Sequence, residues 1–305
     1  MDCILNDFLN HHNFRQAWAK VADNQGSSGI DRETIDKFAA DEENNLVALL
    51  ESVVNNTYTP KPLLQVLIPK DQQKFRELKI PTVRDRIVQQ ALLNVLYPIT
   101  ENIFSDSSFA YRPNLSYLDA IKKIAFWRDH GFLWVLDADI VTFFDSIDHQ
   151  KLLLEVRKVI DNPRILCLIK AWITAGISNQ QNTIALDRGI PQGAVISPLL
   201  SNVYLHQLDE YITKSDLKLV RYADDFVVLS DTEAKIRVAY TQVVQLLNIM
   251  GLKLNAEKTK ITHFNKGFQF LGHGFFRSAV FPIDEKKESS RLNRKKKLTS
   301  RQQKK

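Results

Sequence analysis

Three aspartates in two separate stretches carry the chemistry this sequence can do. The run over 219–229 sets Asp224 and Asp225 between two apolar, β-prone segments, which reads as a hairpin with both carboxylates at its tip. An Asp-Asp pair between strands is by itself most often a solvated turn. The second stretch points elsewhere: residues 132–140, well upstream, form another strand that ends in acid at Asp139. Two like charges about 4 Å apart repel by roughly 4 kcal/mol at an effective dielectric of about 20, so carboxylates gathered on neighbouring strand ends ask for a cation. Mg²⁺ suits such a place, because it takes one or two carboxylates and completes its shell with water and substrate phosphates. A pair of ions held by Asp139 and Asp224 can activate a 3′-hydroxyl and stabilise a leaving pyrophosphate. That is the chemistry of nucleotide polymerisation.

The elements that must bring these acids together follow from periodicity and punctuation. A helix is expected over 14–22, stopped by the turn-forming run 24–29, then Asp31 as the N-cap of a helix through 34–38, and a further helix through 46–54. Strands over 64–68 and 77–80 form a hairpin whose loop and base present Lys70, Lys74 and Arg76. Such a hairpin can grip a triphosphate, Arg through forked hydrogen bonds and Lys as a point charge, or be a plain solvated loop. A long helix over 82–104 should kink or end at Pro98, and Ser116 caps a helix to about residue 130, with Gly131 as its stop. After the strand through Asp139, Asp145 or Ser146 caps a helix over 147–160 and Asn162 caps another to 175. The turn 189–194 enters a helix over 197–213; the hairpin leads to a helix over 233–250, a strand over 258–264 and an aromatic hairpin over 268–276. This order suits a split β-α-β sheet with helices on one face and the first strand beside the hairpin, which puts Asp139 next to Asp224.

With 305 residues, 44% of them hydrophobic, the chain can bury a substantial core. Cys3 and Cys167 have no metal-ligand spacing, and neither do the seven histidines. No apolar run approaches the roughly eighteen residues of a membrane span, and the first residues lack a signal peptide's basic start, so a cytoplasmic protein is expected. The net charge of +6 is a tail: residues 286–305 hold ten Lys/Arg and one Glu, leaving 31 basic and 34 acidic groups elsewhere. Such a run is either a solvated end or a phosphate-binding arm.

Several motifs stand in a telling order: Gly29-Ile30-Asp31, Ile68-Pro69-Lys70, the run 76–81, Asp139 through Asp145, Gly189-Ile190-Pro191-Gln192-Gly193, Tyr222-Ala223-Asp224-Asp225, Glu257-Lys258-Thr259 and Phe270-Leu271-Gly272. Together they resemble the reverse transcriptases of bacterial group II introns, over about residues 14–276. The resemblance implies an α+β right-hand polymerase fold, fingers and a ferredoxin-like split β-α-β palm with a truncated or absent thumb. It implies fingers over 1–114 and 147–196, palm over 115–146 and 197–276, and a basic tail or thumb stub over 277–305. Asp139 and Asp224, assisted by Asp225 and the Ile140 carbonyl, would bind two Mg²⁺ ions, for which Mn²⁺ could substitute. Lys70 and Arg76 would clamp the triphosphate, Gln192 would lie at the ribose end, and Phe144 would be the gate under the sugar. Tyr222 would sit near the primer end, Lys258 would protonate or neutralise the pyrophosphate, and Phe270, Leu271 and Gly272 would form the primer grip. Tyr222 and Phe144 could equally be core residues. Asp137 stays outside this site and Asp145 reads as a helix cap.

The implied activity is RNA-directed DNA synthesis, with an RNA template, a DNA or RNA primer and deoxynucleoside triphosphates as partners. Template-independent or protein-primed synthesis in phage defence, and a non-catalytic RNA-binding scaffold of the same fold, are the alternatives. Arg32 stands where such proteins often have Gly, and the 29 residues after Phe276 are too few for a helical maturase thumb. The expectation is a compact enzyme tied to a CRISPR integrase, a structured RNA or phage defence, or a truncation whose thumb a partner supplies.

Overall fold

The computed structural model describes residues 2–71, 74–178 and 183–283; the basic tail lies outside them. The chain opens with α1 (Asp2–Phe8), α2 (His11–Asp23), α3 (Ile35–Ala39) and α4 (Glu42–Val54). In α2 the apolar residues Phe14, Ala17, Trp18 and Val21 recur at helical spacing and are all buried. Buried Asn13 ties this layer down, its amide donating to the carbonyls of Phe8 and Ala91. Thr34, rather than Asp31, caps α3 by accepting from the Lys37 N–H. Asp31 instead accepts from the Glu33 N–H and pairs with Lys61 at 3.1 Å. Its side chain closes a local turn, which competes with capping for the same carboxylate.

Next come β1 (Leu63–Asp71) and β2 (Lys74–Ile80), an antiparallel hairpin longer than its apolar pattern suggests, then α5 (Val83–Glu101). The α5 helix runs through Pro98 to Glu101 instead of ending there. Then follow α6 (Tyr117–Asp129), which carries the Ser116/Asp119 capping box, β3 (Trp134–Ala138), the single turn α7 (Phe143–Ser146), α8 (His149–Val159) and α9 (Pro163–Ile173). The cap of α8 is Asp148, not Asp145 or Ser146, because α7 interposes a turn of its own before the helix proper. Two short strands that pattern reading missed, β4 (Ile177–Ser178) and β5 (Thr183–Ile184), extend the β1–β2 sheet. The chain continues with α10 (Ser197–Thr213), β6 (Lys218–Tyr222), β7 (Asp225–Ser230), α11 (Glu233–Met250), β8 (Lys260–His263), β9 (Phe268–Phe270), β10 (His273–Phe276) and β11 (Ala279–Pro282).

The sheet that positions the acids has the order β6-β7-β3-β8, every neighbouring pair antiparallel. β3 and β6 are therefore parallel with β7 between them, the split β-α-β arrangement the element order implies. Helices on one face only are the expectation from that order, and here the structure differs. Leu136, Ala138, Phe226 and Val228 face the main core with α10 and α11. Val135, Val220, Val227 and Leu229 face a second core built from α6 and the aromatic residues Phe264, Phe268, Phe270 and Phe275. Both faces are covered, which is why β6 and β7 read as nearly unbroken apolar runs rather than as alternation. Among the described residues no helix is long and apolar enough to cross a membrane.

Candidate active site

Antiparallel register brings the acids together. Ala138 opposes Phe226, and Tyr222 opposes Asp225 across the two-residue turn Ala223-Asp224. Continued by one residue, the β3–β7 register sets Asp139 opposite Asp225, so opposed side chains share one face of the sheet. Ala223 turns the corner with φ +57°, a left-handed conformation unfavourable for a residue with a Cβ. The surrounding structure holds it there. Arg221, fully buried, forms a forked pair with the buried carboxylate of Asp209 and donates to Asn202 Oδ1 at 2.9 Å and to the Ala223 carbonyl at 3.0 Å.

The acids open into a cleft of about 650 Å³, lined among others by Glu77, Asp139, Ile140, Phe144, Asp145, Gln192, Asp224, Asp225, Asn255 and Lys258. Lys258 donates to Asp139 Oδ1 at 3.0 Å. The Asp225 carboxyl is pushed up to about 6, first by withdrawal from water and then by the charges of Asp224 and Asp139, with Lys258 opposing them. Ile140 bridges Leu254, but the flanking bonds run from Asn255 N–H to the Asp139 carbonyl and from Val141 N–H to the Lys253 carbonyl. The Ile140 carbonyl takes no part in that pairing.

Crowded carboxylates beside one lysine ammonium are the donor set of a hard, oxygen-liganded cation. Among the described residues no three His, Cys, Asp or Glu side chains close into a cage of their own. A cation here would draw its other ligands from a backbone carbonyl, water and substrate phosphates, and the residues fit that kind of shell.

Phe144 lines the cleft and packs edge-on against Phe143 at 5.4 Å, and its carbonyl accepts from Ile190 N–H at 2.8 Å. Gln192 lies on the same cleft, and its carbonyl accepts from Lys79 N–H at 2.8 Å. Lys70 and Arg76 belong to β1 and β2, but their side chains fall outside what is described. Tyr222 is not among the cleft-lining residues; it packs against the second core with Phe109 and its neighbours. Phe270 is buried in that core, and Leu271-Gly272 form the two-residue turn between β9 and β10, both at positive φ. Asp137 pairs across strands with Lys260 at 3.5 Å, and burial raises its pKa while Lys260 lowers it.

Sequence reasoning missed Asn255, the Lys79–Asp145 ion pair and the Arg221–Asp209 pair. Only Arg221 left a signal, a charge inside an otherwise apolar strand.

Residues 68–275 match the family described as reverse transcriptase (RNA-dependent DNA polymerase). Protein YkfC of Escherichia coli is 33% identical over 298 residues, covering 85% of this chain and 77% of YkfC. The group II intron-encoded protein LtrA of Lactococcus lactis is 28% identical, covering 84% of this chain and 54% of LtrA. The chain thus spans about half the length of that relative. Telomerase from Candida albicans superposes with a TM-score of 0.59 over 82% of this chain and 50% of its own, at 13% identity, a likeness of fold alone.

Proposed function

The chain belongs to the reverse transcriptase family, the RNA-directed DNA polymerases, and on that premise we propose that its cleft joins a deoxynucleotide to a primer 3′-hydroxyl opposite an RNA template. The observation that carries this reading is that Asp139, Asp224 and Asp225 line one cleft with Phe144 and Gln192, at strand ends whose register, continued one residue past Ala138, faces Asp139 with Asp225. Asp139, Asp224, Asp225 and the Ile140 carbonyl would hold two Mg²⁺ ions, with Mn²⁺ as a substitute. When bound, such ions lower the pKa of an attacking hydroxyl and neutralise a leaving pyrophosphate.

The remaining roles belong to the chain's own side chains. Lys258, mostly exposed and paired with Asp139, supplies a mobile ammonium to neutralise or protonate the pyrophosphate. Lys70 and Arg76, on β1 and β2, would clamp the triphosphate. Gln192 borders the ribose, and the Phe144 ring fills the space a 2′-hydroxyl would need. Tyr222 and the Phe270-Leu271-Gly272 turn act from the second core, supporting the hairpin and the primer strand rather than lining the cleft. On this reading residues 1–114 and 147–196 form the fingers, and 115–146 with 197–276 the palm.

Primer extension on an RNA template with deoxynucleotides tests the proposal, and incorporation that depends on divalent ions is the expected result. Salt-sensitive binding to an RNA–DNA hybrid without any incorporation would replace the enzyme with a scaffold. Phe144→Ala is expected to raise ribonucleotide incorporation relative to deoxynucleotide by about 10- to 100-fold, since excluding a single small group by packing is worth roughly 1–3 kcal/mol. An unchanged ratio in competition assays removes Phe144 from the gate. Deleting residues 286–305 is expected to weaken hybrid binding and flatten its salt dependence, by about 0.9 in logarithmic slope for each phosphate that is no longer neutralised. Binding measured across a salt series with no change of slope makes the tail a bystander.

A further inference from the structure

The β2 strand turns one face toward the cleft. Residues 75, 77 and 79 alternate onto that face, and Phe75 and Glu77 line the cleft. Lys79, the innermost of the three, is 5% exposed, an unusual place for a lysine. Its ammonium donates to Asp145 Oδ1 at 2.8 Å, with Glu77 at 3.9 Å. Its main chain is engaged as well: Lys79 N–H donates to the Gln192 carbonyl. Gly193, at φ +113°, passes so near that a Cβ there would sit 3.1 Å from the Lys79 carbonyl oxygen.

Asp145 follows Phe144 directly in the turn α7. Its carboxylate caps no helix; among the described residues it accepts from the Lys79 ammonium. From the other side, Ile190 N–H donates to the Phe144 carbonyl and Gly189 N–H to the Ile147 carbonyl, at 2.8 and 2.7 Å. Gly189 lies so close that a Cβ would come within 2.9 Å of Asp145 Cα. One lysine thus joins the three parts of the cleft that would touch a nucleotide: the β2 face, the Phe144 turn and the Gln192 loop.

An ion pair of this kind, a buried lysine against a half-exposed carboxylate, adds little stability, because the lysine leaves water while solvent screens its partner. What it adds is a fixed geometry. Resting on the polymerase reading above, we propose that Lys79 is a positioning residue: its ion pair with Asp145 holds the Phe144 ring and Gln192 at the distance that admits a deoxyribose and excludes a ribose. The residue touches neither sugar nor phosphate; it acts through Phe144 and Gln192.

The test is kinetic, on the full chain, with single deoxy- and ribonucleotide incorporation on a primed RNA template. Lys79→Met, which keeps the aliphatic stem, is expected to raise the deoxynucleotide KM by about tenfold with a smaller change in kcat, and to narrow the sugar preference by a similar factor, in line with the loss expected from a sub-ångström to 1 Å misplacement. Asp145→Asn, at a half-exposed carboxylate, should reproduce both effects without endangering the fold. Lys79→Arg should restore the sugar preference, and the double variant Lys79→Met/Asp145→Asn should be no worse than either single one. If Phe144→Ala alters sugar choice while Lys79→Met and Asp145→Asn leave KM and preference at wild-type values, the latch is refuted and the gate stands. If Phe144→Ala is silent too, the reading of the cleft falls with it.

Discussion

Asp224→Asn should leave a folded protein that no longer extends primers, with the single-turnover rate down by at least about a thousandfold, as for the loss of a group that organises transition-state charge. Asparagine keeps the size and the hydrogen-bonding oxygen of aspartate but removes the charge, so the turn that Ala223 makes at φ +57° has no steric reason to move. The crowding of the carboxylates gives an expected sign for the stability change. Asp225 is held up to about 6 partly by the charges of Asp224 and Asp139, so the ionised cluster is strained in the absence of a cation. A carboxyl whose folded pKa exceeds its unfolded value destabilises the fold above that folded pKa and ceases to do so below the unfolded one. Neutralising Asp224 removes one source of that repulsion; the melting temperature of the metal-free variant at pH 7–8 should be equal to or above wild type, with the difference vanishing near pH 4. Primer extension and thermal melting on the same preparation check both halves. Full activity in the variant would remove Asp224 from the chemistry, and a large loss of stability would mean the activity loss reports misfolding.

Much of the path to those acids was legible because it rests on local rules. The α11 helix fills the span its apolar spacing indicated, the Thr82 and Asn162 boundaries follow from cap side chains that accept a backbone N–H, and the Ser116 boundary follows from the Asp119 carboxylate that accepts the Ser116 N–H. What was not legible depended on long-range competition. Asp31 and Asp145 both look like helix caps, but Asp31 is drawn to Lys61 and Asp145 to Lys79, partners distant in sequence. Tyr222 opposes Asp225 and so shares its face of the sheet, and alternation cannot say that this face is roofed by the second core at Tyr222 while the acids open into the cleft. The covered second face went unseen because the apolar pattern of α6 and of the short strands β9 and β10 does not reveal which face of the sheet they pack against.

Arg221→Met should lower unfolding stability by about 3–5 kcal/mol, the usual effect of removing one partner of a buried ion pair and leaving the other uncompensated. Arg221 and Asp209 are both fully buried, and Met would leave the Asp209 carboxylate with neither water nor a countercharge. Urea unfolding measures the loss, and a change below about 1 kcal/mol would mean the site relaxes or hydrates far more easily than its burial suggests. The pair has a second task that this variant alone cannot isolate: the same guanidinium holds the Ala223 carbonyl and, through Asn202, reaches the Ala110 carbonyl. Replacing both members with apolar residues, Arg221→Met with Asp209→Leu, removes the orphaned charge and should recover most of the stability, since such pairs exchange for apolar ones at little net loss. It does not restore the donor to Ala223. The doubly substituted protein should therefore be folded at the assay temperature and yet extend primers about tenfold or more slowly, because a turn free to leave its left-handed corner no longer fixes Asp224 against Asp139. Recovery of rate along with stability would show that Arg221 serves the core alone and that the strained turn holds itself.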